Sequence, residues 1–170
     1  MNFLKVGNFV SLVASLIILS ALILLYINGI NYAYSTVFQL IIWIIWILAI
    51  PSFLSYHKAN LNKSFLMNYC AILAIVITFF GLIFLHLGEF TGIEIIFLGY
   101  ILEPIAGISI FLTVWKISYI YDLMFFLGAI VFTAGLPLFL FNLGIISIIG
   151  DIVKMIGIIG LLSTNQKIVK

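Results

Sequence analysis

The sequence predicts an all-α integral membrane protein: a bundle of six transmembrane helices with both termini in the cytoplasm. Three observations carry that prediction. Of 170 residues, 66% are hydrophobic and only 7% charged, whereas soluble domains are about 45–50% apolar and about 25% charged. The apolar residues fall into six runs of the length a bilayer requires, roughly 20 residues each. The lysines recur at every second gap between those runs, as the positive-inside rule demands of an even number of crossings.

The first run is Asn8–Ile27, preceded by Lys5. It is too long for a signal-peptide core and lacks a small-x-small cleavage site, so it reads as a retained helix. The second, Thr36–Ser55, follows the breaker Asn28-Gly29, and the third, Phe65–Leu85, follows Asn60 to Ser64. The fourth, Ile93–Trp115, begins after Leu87 to Gly92. The fifth, Leu123–Phe141, follows Lys116 to Asp122, and the sixth, Gly144–Leu162, follows Asn142 to Gly144. That last link is short enough for a re-entrant hairpin to be the alternative. Together the six spans make residues 1–170 one transmembrane domain, and the short loops force sequential antiparallel neighbours.

Lys5, Lys58, Lys63, Lys116, Lys167 and Lys170 all fall on one side if the chain crosses six times. The opposite loops carry no lysine, and one carries Glu89. The lysine side is therefore expected to be cytoplasmic. Trp115, Tyr119, Tyr121 and Tyr56 are expected in an aromatic belt there, with Tyr32 and Tyr34 at the outer end. The expected location is the cell membrane of a prokaryote.

Composition also limits function. There is no arginine, the residue best suited to bidentate capture of carboxylate or phosphate. The net charge of +2 is too small for a nucleic-acid footprint, so no nucleic-acid partner is expected. Cys70 is the sole cysteine, which permits neither an intrachain disulfide nor a metal cluster. His57 and His86 are expected at opposite ends of the bundle. No His-Glu-x-x-His or Gly-x-Ser-x-Gly occurs. Asp122 and Asp151 lack the Gly-x-Gly-Asp pattern of intramembrane aspartyl proteases, and they are expected at different depths. The reading is of a non-enzyme with no catalytic residue, no metal and no cofactor.

Lipid-embedded helices associate through small residues and buried polar groups. Gly99, Glu103 and Gly107 lie at four-residue steps on helix four, and Gly150, Lys154 and Gly157 share a face of helix six. The four glycines are expected to pack helices. Asn8, Ser11 and Ser15 share a face of helix one, and Gln39, Trp43 and Trp46 a face of helix two, read as core packing.

Three ionisable residues fall deep in the bilayer. Measured from the outer helix ends, Glu103 and Lys154 lie about 15 Å down and Asp151 about 10 Å. Asp151 and Lys154 are three apart and can pair within one helix. Their burial costs roughly 5–7 kcal/mol, while the apolar residues of helix six return about 3–7. That helix is marginal alone and needs Glu103 or another partner. Pro104 lacks an N–H, so the carbonyl of Tyr100 loses its helical donor at mid-membrane, next to a carboxylate.

Intramembrane charge admits two functional readings. The first is a non-enzymatic structural or accessory subunit of a membrane complex, with the bilayer, other membrane subunits or further copies of itself as partners. The alternative is a small proton- or cation-coupled transporter working through Glu103, Asp151 and Lys154.

Overall fold

A computed structural model describes residues 3–164. Among them there are no strands, and six helices are long and apolar enough to cross a membrane. They are α1 (Phe3–Asn28), α2 (Thr36–His57), α3 (Ser64–His86), α4 (Thr91–Val114), α5 (Tyr119–Gly135) and α6 (Ile145–Ser163). Short 3₁₀ segments, Ile30–Tyr34 and Leu136–Phe141, precede α2 and prolong α5. Most boundaries fall within two residues of those expected. The larger differences are that α1 starts five residues earlier, taking in Lys5, and that α5 starts at Tyr119 and gives way to the 3₁₀ segment at Leu136.

The turns explain how short links suffice. At the end of α3, Gly88 takes φ 83°, while the Gly88 N–H donates to Leu85 O and the Glu89 N–H to Phe84 O, at 3.0 Å each. Asn142 repeats the device with φ 59°; its N–H donates to Phe139 O and that of Leu143 to Leu138 O. This pair of bonds closes a helix within two residues, and asparagine is the side chain that best replaces glycine there. The link after residue 141 is thus a complete reversal, and α5 and α6 run antiparallel along their whole length.

Neighbouring helices close into a ring: α1 against α2, and so on to α6, which returns to α1. Two pairs are the tightest. In α5–α6, Gly135 meets the backbone of Ser147, Gly150 that of Phe132, Gly128 that of Lys154, and Gly157 that of Phe125. In α3–α4, Gly92 meets the backbone of Leu85, and Gly99 meets Thr78. Such backbone approach supplies attraction through van der Waals contact.

The antiparallel ring gathers Lys5, Lys58, Lys63 and Lys116 at one end, and Lys167 and Lys170 lie outside the described residues. At that end the α2–α3 loop is fastened to α4: the Asn62 N–H donates to Thr113 Oγ1 and its amide to Leu112 O, each at 2.9 Å. The core is divided. One apolar cluster, with Leu25, Phe38, Leu85 and Phe139, fills the end away from the lysines. The other, with Leu4, Leu61, Val114 and Leu161, fills the lysine-bearing end.

Candidate functional site: a charged cavity inside the helix ring

Between the two clusters lies a cavity of about 180 Å³ to which all six helices contribute wall. Ile18, Ile42 and Ile45 belong both to its wall and to the cluster away from the lysines; Tyr56, Ile110 and Ile158 join it to the lysine-end cluster.

The three charges Glu103, Asp151 and Lys154 meet at this cavity. Lys154 of α6 reaches across to α4, placing Nζ 3.2 Å from Glu103 Oε1, and lies 3.0 Å from Asp151 Oδ1 one turn back on its own helix. Its ammonium also stands 4.3 Å from the centre of the Phe132 ring, a cation–π contact. Asp151 is fully buried and Lys154 is 2% exposed, whereas Glu103 keeps 38% of its side-chain surface accessible. Only Oε1 of Glu103 is engaged; Oε2 has no hydrogen-bond partner among the described residues. Asp151 meets Lys154 as an ion pair without hydrogen-bond alignment, and Ser15 of α1 lies beside its carboxyl.

Sequence spacing explains the convergence. Glu103 follows Gly99 by one helical turn, so it emerges on the face that α4 presses against α3 and the interior. Lys154 lies between Gly150 and Gly157, whose missing side chains let α5 approach closely. The lysine stem is thereby packed, and its ammonium is directed at the cavity. Ser147, one turn before Asp151, donates to Phe132 O at 2.8 Å and locks the same helix pair.

The remaining site residues fall into different roles. Tyr100 lines the cavity and stands edge-on to Phe132, with ring centres 5.5 Å apart. Pro104 sits within a continuous α4, one residue beyond Glu103. Gly99, Gly150 and Gly157 are at tight helix contacts. Gly107 is not: a methyl there would come no nearer than 3.8 Å to the Phe125 ring, so it opens space beside the cavity.

Three features differ from the sequence reading or escaped it. Tyr56 is not in an interfacial belt. It is buried, donating to Asn8 Oδ1 at 2.9 Å, with Ser11 Oγ at 3.2 Å and Ser11 in turn 2.8 Å from Ser52. This network ties α1 to α2 at the lysine-facing floor of the cavity. Asp122 is fully buried with neither oxygen hydrogen-bonded among the described residues. The α5–α6 register leaves it roughly 13 Å along the axis from Asp151, too far to share a proton. The cavity itself carried no sequence signal beyond the small residues Ala71, Ala74, Ala106 and Gly107 that help line it.

The histidines lie apart, His57 beside Asn68 at the lysine-bearing end and His86 beside Gln39 at the other. Trp46 donates to Ile75 O at 2.9 Å and packs with Trp43 and Phe79 between α2 and α3. Compared with protein-family models, curated proteins and solved structures, the chain matches none.

Proposed function

We propose that the chain is a small membrane carrier, coupled to protons or cations through the carboxyl of Glu103. The observation that carries this reading is a half-engaged carboxylate opening onto a cavity shared by all six helices, with apolar packing on both sides along the bundle axis.

Charge counting gives the mechanism. With Glu103, Asp151 and Lys154 all ionised, the cluster holds one net negative charge. Excess charge is costly away from water. A proton on Glu103 brings the cluster to zero, and so does a monovalent cation beside it. The two neutral states exclude one another at Oε2, which is the requirement for exchange. The Asp151–Lys154 pair keeps its charge balance in both, and Lys154 anchors Oε1 while Oε2 turns over. For the cycle to proceed, one apolar cluster and then the other must part. In this reading the lysine-bearing end faces the cytoplasm of a prokaryotic cell membrane.

The competing reading, an accessory subunit, drew its physical support from the marginal stability of helix six. That support weakens, because Glu103 supplies the missing partner from within the chain, and α6 has the largest buried share of the six helices. The test is the purified chain alone in liposomes, with an internal pH dye and imposed gradients of sodium, potassium or an organic ammonium. Proton movement above that of protein-free liposomes in any gradient is expected. Equal rates with and without protein in all of them contradict the carrier.

A further inference from the structure

Resting on the carrier reading, we propose that the cavity is a binding site for a compact monovalent organic ammonium ion. Its charge is set against Glu103 and its apolar substituents against Trp46, Phe53, Tyr100 and Phe125.

The sign of the ligand follows from which valences are filled. Lys154 already has Glu103, Asp151 and the face of Phe132 around its ammonium, so it has no direction left for an anion. Glu103 has one oxygen committed and one open, on a side chain that keeps accessible surface. The open valence at the cavity is therefore negative, and it takes a cation.

Its organic nature follows from the wall. A bare inorganic ion must replace its hydration shell with several oxygens. Here the hydroxyls of Ser11, Ser52 and Tyr56 are taken up in one network and Ser15 lies beside Asp151, so only Thr78 and Tyr100 could add to Glu103, too few oxygens to replace such a shell. Most of the remaining wall is aliphatic or aromatic. Aromatic faces around a carboxylate are the setting in which alkylated ammonium groups are held, because the ring quadrupole attracts a diffuse charge. The walls are also fixed before binding, Trp46 by its bond to Ile75 O and Tyr100 by its contact with Phe132, so little ordering is lost on association.

Size sets the limit. An apolar cavity of about 150 Å³ takes up benzene. One of about 180 Å³ therefore admits a single ring or a few short alkyl arms, and excludes dyes and peptides. The titratable groups on the wall are Glu103 and Lys154, with Tyr100 and Tyr56, and Asp151 stands behind Lys154; α1, α3 and α5 contribute none to the wall.

The experiment is calorimetric titration of the purified full chain in lipid nanodiscs. Trimethylphenylammonium is the probe, and tert-butylbenzene is its uncharged counterpart of the same shape. The ammonium is expected to bind at least tenfold more tightly than the hydrocarbon. Glu103→Gln is expected to remove that preference. Gly107→Val, which narrows the cavity without touching the carboxyl, is expected to weaken the ammonium at least tenfold. Equal binding of both compounds, ammonium binding unchanged in both variants, or displacement of the ammonium by equimolar sodium or potassium would each overturn the proposal. So would no binding of either compound. Because this is a binding measurement, its failure leaves proton flux in liposomes free to decide the carrier reading separately.

Discussion

Lys154 Nζ lies 3.2 Å from Glu103 Oε1, a contact between residues 51 apart in the chain that joins α6 to α4 across the interior of the ring. It does two jobs in the proposed account. It neutralises charge that would otherwise destabilise α6, and it holds one oxygen of a carboxyl whose other oxygen remains open to the cavity.

The structural half of that statement predicts a strong asymmetry between variants. Lys154→Leu leaves Asp151 buried beside a second carboxylate, and breaking a buried pair from one side costs about 3–5 kcal/mol. Replacing both Asp151 and Lys154 with leucine removes the pair together and should recover more than half of that loss. Thermal unfolding in mild detergent reads both. A single variant as stable as the parent would mean that the pair carries no structural load.

The glycines should divide into two classes. Gly150→Ala sets a methyl against the backbone of Phe132, and overpacking of this kind costs about 1–3 kcal/mol. Gly107→Ala meets only ordinary contact with Phe125 and gains helix propensity of up to about 1 kcal/mol. The same unfolding assay should show the first variant destabilised and the second unchanged or improved. Equal effects would contradict the distinction between a helix contact and a cavity wall.

Asp122 is buried without a hydrogen bond among the described residues, at a cost of about 1–3 kcal/mol for an unsatisfied group. Its place in the first turn of α5 returns only about 0.3–1 kcal/mol from the helix dipole. The cost outweighs the return, so Asp122→Leu should raise the unfolding temperature. A lower one would contradict the carboxyl's being an uncompensated cost to the fold.

The proposed orientation is tested by reporter fusions that are active only outside the cytoplasm. A reporter inserted in the Leu87–Phe90 turn should be active, and one at either terminus inactive. The reverse pattern would invert the bundle.

The six long apolar helices were legible because hydropathy needs only length and composition, and the meeting of Glu103 with Lys154 because helical rise converts position into height along the bundle. The direction each helix faces was much harder to read. A helix apolar on every side carries little amphipathic signal, so Tyr56 looked interfacial by its position near a helix end although it points inward at Asn8. Gly107 looked like its neighbour Gly99 because both sit at four-residue steps, and only the tertiary packing separates the one that touches a helix from the one that leaves room. The ring closure of α6 on α1 and the cavity it encloses are long-range outcomes that no local spacing records.

The most direct test of the central claim compares Glu103→Gln with the parent chain in proteoliposomes. Insertion is checked by equal recovery in the membrane fraction, and proton movement is followed by an internal dye under a cation gradient. Glu103→Gln is expected to insert normally, with its coupled proton movement reduced to the rate of protein-free liposomes. Proton movement equal to that of the parent would contradict it, removing Glu103 from the transport path and leaving its pairing with Lys154 as helix glue alone.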